Sequence, residues 1–387
     1  MTAKSSAMPV VIILTILTFS ALYAPQPLLP VLARDYAVSR DTAAYLITAV
    51  FLPLSLAPLF YGRILAAWAP RRMLRIAVLQ LAVATALFPL CSTFPLLLAV
   101  RFWQGLLVPA ILTALMTYVA SEAAEGQQRR AMAIYIASTI LGGLLGRVMS
   151  GSLATLLGWP SSFYLLAGSL LAVFFLLGRL APGRPPQART GGDLKAIFRC
   201  QPARRIYLGV FCFFFAFAAV MNTLPFRVSA LAPGASEMRI GFIYSGYALG
   251  IASALGAIGL ARRLGGARRT MQLGLCSFGL CLMAMLVPDA TALFLLMFPF
   301  CGSMFLVHAL ASGQLNALGL RQTGLVNGLY ICFYYGGGIL GSSLPVLIYQ
   351  RFGWSAFIAL LTLFVAGALL AVAGLPIEKS VPDNINT

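Results

Sequence analysis

The stretch YIASTILGGLLGRVMSG, Tyr135–Gly151, is answered by YICFYYGGGILGSS at Tyr330–Ser343. Tyr135, Gly142, Gly143 and Gly146 match Tyr330, Gly337, Gly338 and Gly341 at one constant offset. Small residues at helical spacing let two helices approach closely, and in lipid such contacts replace the hydrophobic effect as the packing force. A second echo lies in two loops. GRILAAWAPRR begins at Gly62 and GLARRLGGARR at Gly259, so Gly62 with Arg71 and Arg72 matches Gly259 with Arg268 and Arg269. A unit read twice in one chain predicts a fold made of two related halves.

The composition says what surrounds those halves. Hydrophobic residues form 60% of the 387, charged residues 9%, and mean hydropathy is +0.92. So few charges cannot clothe a water-facing surface of this size, and lipid is the solvent for most of the chain. A spanning helix needs about 20 apolar residues. Apolar runs between charged or Pro/Gly-rich breaks predict twelve, over 8–30, 42–62, 74–93, 96–120, 131–156, 160–180, 206–225, 240–260, 271–288, 291–317, 325–349 and 355–375. The runs are continuous rather than alternating, which argues against a barrel. The first is too long for a signal peptide and lacks a small-x-small cleavage site. The longest polar stretch, opening APGRPPQARTGGD, divides an N-terminal bundle (1–180) from a C-terminal one (206–387), with a linker over 181–205.

The net charge of +18 would suggest nucleic acid in a soluble protein. Here it crowds one set of loops, around 63–75, 129–130, 179–205 and 262–269, against Arg34, Arg40, Arg227, Arg239 and Arg351 on the other. That is the positive-inside pattern. It places both termini and the linker in the cytoplasm and excludes nucleic acid as a partner. The seven cysteines show no metal-ligand spacing and read as small apolar fillers. No phosphate loop, metal cluster or nucleophile–histidine pair is found, so the chain is expected to be no enzyme and to hold no cofactor.

These residues carry a resemblance to the major facilitator superfamily over essentially the whole chain, and within it to the drug- and sugar-efflux branch related to arabinose efflux permeases. RFWQG at Arg101–Gly105 resembles the fourth-helix signature and YAPQPLLPVLARDY at Tyr23–Tyr36 the first helix. GGLLGRVMSG at Gly142–Gly151 is similar to the fifth-helix glycine motif, with an Arg after its second glycine cluster. HALAS at His308–Ser312 and LYICFYYGGGILGS at Leu329–Ser342 resemble the tenth and eleventh helices. The family's loop signature carries an acid four residues after its glycine; Ala66 stands there, beside Ala67, and only the Arg71–Arg72 end remains. Those two arginines suit helix C-terminal carbonyls or anionic lipid. The resemblance implies a monomeric, twelve-helix transporter of a bacterial inner membrane. It would export a small amphipathic molecule in exchange for protons.

Polar groups at membrane depth are the candidates for that work. An Arg costs about 2.5–3.5 kcal/mol at a helix centre on insertion scales, so Arg101 and Arg147 must face protein or water. Arg101 either bonds carbonyls and locks span four to span one, or lowers the proton affinity of a nearby acid. Arg147 either binds an anionic or carbonyl-rich substrate or packs against a helix end. None of the nine acids lies near a span centre. Asp35 and Glu122, at span ends, are the nearest stand-ins for a coupling carboxylate, and His308, the only histidine, is a further proton carrier. Tyr23, Gln26, Asn222, Tyr330 and Tyr334 are expected to read the substrate with Arg147. Gly142, Gly146, Gly151, Gly337 and Gly341 are expected to form a rocking interface with spans eight and two, and Gly62 and Gly259 with Arg71 and Arg72 to form the gating loops. Three readings remain beside proton-coupled export. They are transport of an anionic metabolite or siderophore-like compound through Arg101 and Arg147, a non-transporting receptor or scaffold, and a membrane enzyme.

Overall fold

A computed structural model of the chain describes residues 7–57, 61, 68–122, 128–178, 194–320 and 323–376. Gly62 and the Glu122 side chain, both singled out above, lie outside what is described. Regular structure among the described residues is helical. In the first half, α1 (Ala7–Tyr23) runs through one 3-10 turn into α2 (Leu29–Asp35). There follow α3 (Arg40–Leu56), α4 (Pro70–Leu87), α5 (Phe94–Glu122), α6 (Gln128–Leu157) and α7 (Pro160–Leu177). After the short α8 (Leu194–Arg199), the second half contains α9 (Gln201–Leu231), α10 (Glu237–Ile243), α11 (Tyr247–Arg263), α12 (Ala267–Ala284), α13 (Ala290–Ala317) and α14 (Thr323–Ala373).

Nine stretches among the described residues are long and apolar enough to cross a membrane. The last of them is two crossings, because Gly353 sits at φ 80° and ψ −177° and breaks α14. Only glycine adopts that backbone without strain. α3 and α12 complete the bundles, α3 packing on α5 and α14, α12 on α13 and α14. The fold is thus twelve passages in two six-helix bundles, as the sequence implies. The end where α7 stops and α9 begins is the linker end; the far end carries Asp35, Asp41 and Gln350.

Proline explains where boundaries differ from expectation. Pro25, Pro27 and Pro30 do not stop the first span; they insert a 3-10 turn, and the passage continues to Asp35. Span seven, expected over 206–225, runs on to Leu231 with Pro225 inside α9. The carbonyl that Pro225 cannot serve, at Met221, accepts the Tyr244 hydroxyl at 2.8 Å instead. The linker also ends earlier than 205. Ile197 of α8 is buried, Pro202 starts α9 with its fixed φ, and 194–205 is mostly helical.

The glycine repeats pack differently from expectation. A Cβ at Gly142 would land on the Ile16 carbonyl of α1, and one at Gly146 on Ser20. In the second half Gly337 and Gly341 meet Phe211 and Phe215 of α9 in the same way, each pair at the same chain offset. These four bind the helices within each half rather than forming the interface between halves. Gly246 and Gly250 likewise pack inside their own half, on Met297 and Phe305. Of Gly142, Gly146 and Gly151, it is Gly151 that meets span eight, at Glu237 and Gly241. The reason is angular. Five residues on from Gly146, the helix has turned by about 140° to a different face.

Candidate functional site

Arg101 is fully buried and its protons are spent on structure. Nε donates to the Leu46 carbonyl at 3.1 Å, Nη2 to Leu22 at 2.7 Å, and Nη1 to Ala21 at 3.2 Å and to Gln104 Oε1 at 2.7 Å. The acceptors exist because α1 ends early. Ala21 and Leu22 are last-turn carbonyls, and Pro25 has no N–H to offer Ala21. A cation at a helix C-terminus also suits its dipole. Gln104 donates onward to Thr85 Oγ1 at 3.2 Å, and Gly105 lets α5 lie against Val50 and Pro53 of α3. RFWQG is therefore a clamp joining spans one, two, three and four. The partners of Arg101 are carbonyls and an amide, none a carboxylate.

One residue past Gly146, and so about 100° around α6, Arg147 points at the other half. It is 1% exposed. Nε donates to Gln26 Oε1 at 2.6 Å and Nη1 to the Gly143 carbonyl at 2.6 Å. The guanidinium lies 4.0 Å from the ring centre of Tyr23, 4.6 Å from Tyr247 and 5.0 Å from Tyr244. Tyr23 and Gln26 belong to the first half, Tyr244 and Tyr247 to the second, so Arg147 sits in an aromatic cage at the seam. Ser150, three residues on, donates to the Ala24 carbonyl left open by the same kinked span.

The cage continues through aromatic contacts into the second half. The Phe51 ring packs 6.3 Å from Tyr23 and 5.3 Å from Tyr335. Tyr335 meets Tyr334 at 5.0 Å, and Tyr334 stacks on Phe214 at 3.6 Å and meets His308 at 4.8 Å. The Tyr330 hydroxyl is 3.0 Å from His308 Nδ1 and 3.2 Å from its carbonyl. The structure thus joins Tyr23, Gln26 and Arg147 at one end of this seam and Tyr330, Tyr334 and His308 at the other. Sequence reasoning missed Tyr244, Tyr247 and Tyr335. Tyr247 sits between Gly246 and Gly250, in a segment whose small residues signal close packing rather than a binding face.

Asn222 is buried where the two halves meet. Its Nδ2 donates to the Ser342 carbonyl at 2.7 Å and to Ala44 at 3.3 Å, fixing α9 to α14 and α3. Its Oδ1 is buried and takes no hydrogen bond among the described residues. Asp35 stands at the far end, 39% exposed, 3.5 Å from Arg34 and accepting the Trp159 indole proton at 3.0 Å. It is a surface-end residue, remote from the seam by sequence position on α2. Glu122 ends α5 at the linker end. Arg72 is exposed and stacks 4.8 Å from the Trp68 ring, Arg71 lies in the first turn of α4, and Gly259 has open space around it, so it packs against nothing.

Contacts between the halves gather toward the far end. Gln350 Nε2 donates to Asp41 at 3.0 Å, Thr48 and Ser342 hydroxyls meet at 2.7 Å, and the Met238 amide donates to Thr155 at 2.9 Å. Ser55, closer to the linker end, donates to the Cys332 carbonyl at 3.1 Å.

Two pseudo-symmetric six-helix bundles around a buried polar seam define a class of membrane transporter. A model of the Major Facilitator Superfamily matches residues 11–319. The chain belongs to that superfamily, and is a membrane transporter rather than an enzyme. It is 23% identical over 379 residues to the "Uncharacterized MFS-type transporter YybF" of Bacillus subtilis, covering 95% of this chain and 93% of the other. It is 23% identical to the "Inner membrane transport protein YnfM" of Escherichia coli, over 91% of this chain and 86% of that one. A "Chloramphenicol resistance protein" of Streptomyces lividans is 29% identical over 43% of this chain and 42% of its own. The crystal structure of a bacterial homologue of the human lysosomal transporter Spinster superposes with a TM-score of 0.77, at 14% identity, covering 96% of each chain.

Proposed function

We propose that the chain is a proton-coupled exporter of small amphipathic molecules in a bacterial inner membrane, working as a monomer by alternating access. The seam between the halves carries this reading. It joins apolar ring faces to a few polar tips, which is what an amphipathic solute needs. Contact between halves toward the far end fits a conformation closed there. The basic loops fit a cytoplasmic linker end, with both termini on that side. Efflux is favoured by the kinship with the chloramphenicol resistance protein, and the inner membrane by the kinship with YnfM. Among the described residues the titratable group in this seam suited to a coupling proton is His308, held by Tyr330. Asp35, exposed and bonded to Trp159, is the weaker candidate.

Proteoliposomes with an imposed pH gradient test this. Amphipathic solutes are expected to move outward only while the gradient lasts. His308→Gln should uncouple that movement while Asp35→Asn leaves it intact. Flux that ignores the gradient, or survives unchanged in His308→Gln, rejects the coupling.

A further inference from the structure

Arg147 carries a full charge into a low-dielectric interior, and neither of its hydrogen bonds goes to a carboxylate. Three tyrosine faces offset part of the cost. They do not neutralise it. The nine acids of the chain offer no help at this depth, since none lies near the centre of a span. A buried cation without an anion is expensive, and an ionisable group inside a membrane bundle commonly marks a ligand's path.

The polar atoms around it are all of one kind. Arg147 Nη2 makes no hydrogen bond among the described residues. Gln26 is oriented by Arg147, because its Oε1 must face the Nε proton. That fixes Nε2 beside the guanidinium, and it too makes no hydrogen bond among the described residues, although Gln26 is 1% exposed. Two N–H groups on joined side chains therefore seek an acceptor, next to the flat faces of Tyr23 and Tyr247. Gly143 makes the arrangement possible. A Cβ there would come within 3.1 Å of Arg147 Nη1 and 3.4 Å of Tyr23. The matching position in the second half is Ser342, so the charge belongs to one half only.

The geometry points to a carboxylate-bearing amphiphile as the substrate class, its anionic group held by Arg147 and Gln26 and its apolar body against the tyrosine faces; this rests on the transport function proposed above. The two oxygens of a carboxylate can accept from both donors at once, and a charge-assisted bond is worth roughly twice a neutral one. The molecule then supplies the negative charge that the seam lacks among the described residues.

The test uses the full chain, purified in detergent, and three probes of near-equal size: 1-naphthoate, 1-naphthamide and 1-naphthylmethylammonium. Naphthoate should raise the melting temperature and bind at least about tenfold tighter than the amide. The ammonium compound should not bind. Arg147→Gln should abolish that preference. Gly143→Val, which keeps the charge but displaces the guanidinium, should weaken naphthoate alone. If Arg147→Gln does not fold, Gln26→Leu gives the second reading, with naphthoate weakened severalfold and naphthamide unchanged. Equal affinity for acid and amide, or tighter binding of the cation, overturns the assignment. Counterflow of labelled naphthoate in liposomes separates the two inferences. Binding without exchange would reject transport while keeping the anion site. Exchange of naphthylmethylammonium with naphthoate inert would reject the anion site while keeping transport.

Discussion

Two arginines of similar depth behave oppositely, and the difference lies in what their neighbours leave unbonded. Arg101 finds open carbonyls at the end of α1 and is consumed by them. Replacing it with Ala would strand buried acceptors at Ala21 and Leu22, each costing about 1–3 kcal/mol. Arg101→Ala should therefore lower the melting temperature sharply, and Arg101→Lys nearly as much, since one ammonium cannot span three carbonyls on two helices. A lysine variant as stable as the parent would remove the clamp. Ser150→Ala should cost less, about 1 kcal/mol, because it frees only the Ala24 carbonyl. Both readings of Arg101 were open in the sequence. What could not be read there was that Pro25 and the early end of α1 create its acceptors, since that depends on where a neighbouring helix breaks.

Elements were legible to the extent that their signal is local. Apolar length gave the twelve passages, and the polar run gave the division between halves. The role of Pro225 and the destination of each glycine face were not legible, because both depend on partners far away in the chain. The paired contacts Gly142 and Gly146 on α1, and Gly337 and Gly341 on α9, are a case in point. The repeat was plain, yet the residues they touch share no motif. The packing makes a graded forecast. Gly146→Ala pushes a methyl into Ser20 backbone and should cost about 1–3 kcal/mol in thermal unfolding. Gly259→Ala meets open space inside a helix and should be neutral or stabilising by up to about 1 kcal/mol. Equal effects at the two sites would refute the assignment of the first to close packing.

Over the whole molecule, the far end is joined by uncharged or singly charged hydrogen bonds, Asp41 to Gln350 and Thr48 to Ser342, rather than by an ion-pair lock. Such joints break cheaply, as a moving gate requires. With the native cysteines removed, a cysteine pair at 41 and 350 should cross-link under oxidation, stop transport, and release it on reduction. Cross-linking that leaves flux untouched would show that this end need not open. The candidate site lies on the same seam, which is why its residues come from both halves and why Tyr244 and Tyr335 could not be assigned from either alone. The clamp around Arg101 also has an implication for how the chain is made. Its acceptors on the first two spans leave the ribosome before the fourth span does, so the costly guanidinium enters the bilayer with its partners already waiting. Biogenesis should thus proceed from the N-terminus, and a chain whose opening spans were supplied late would strand its fourth helix at the insertion machinery.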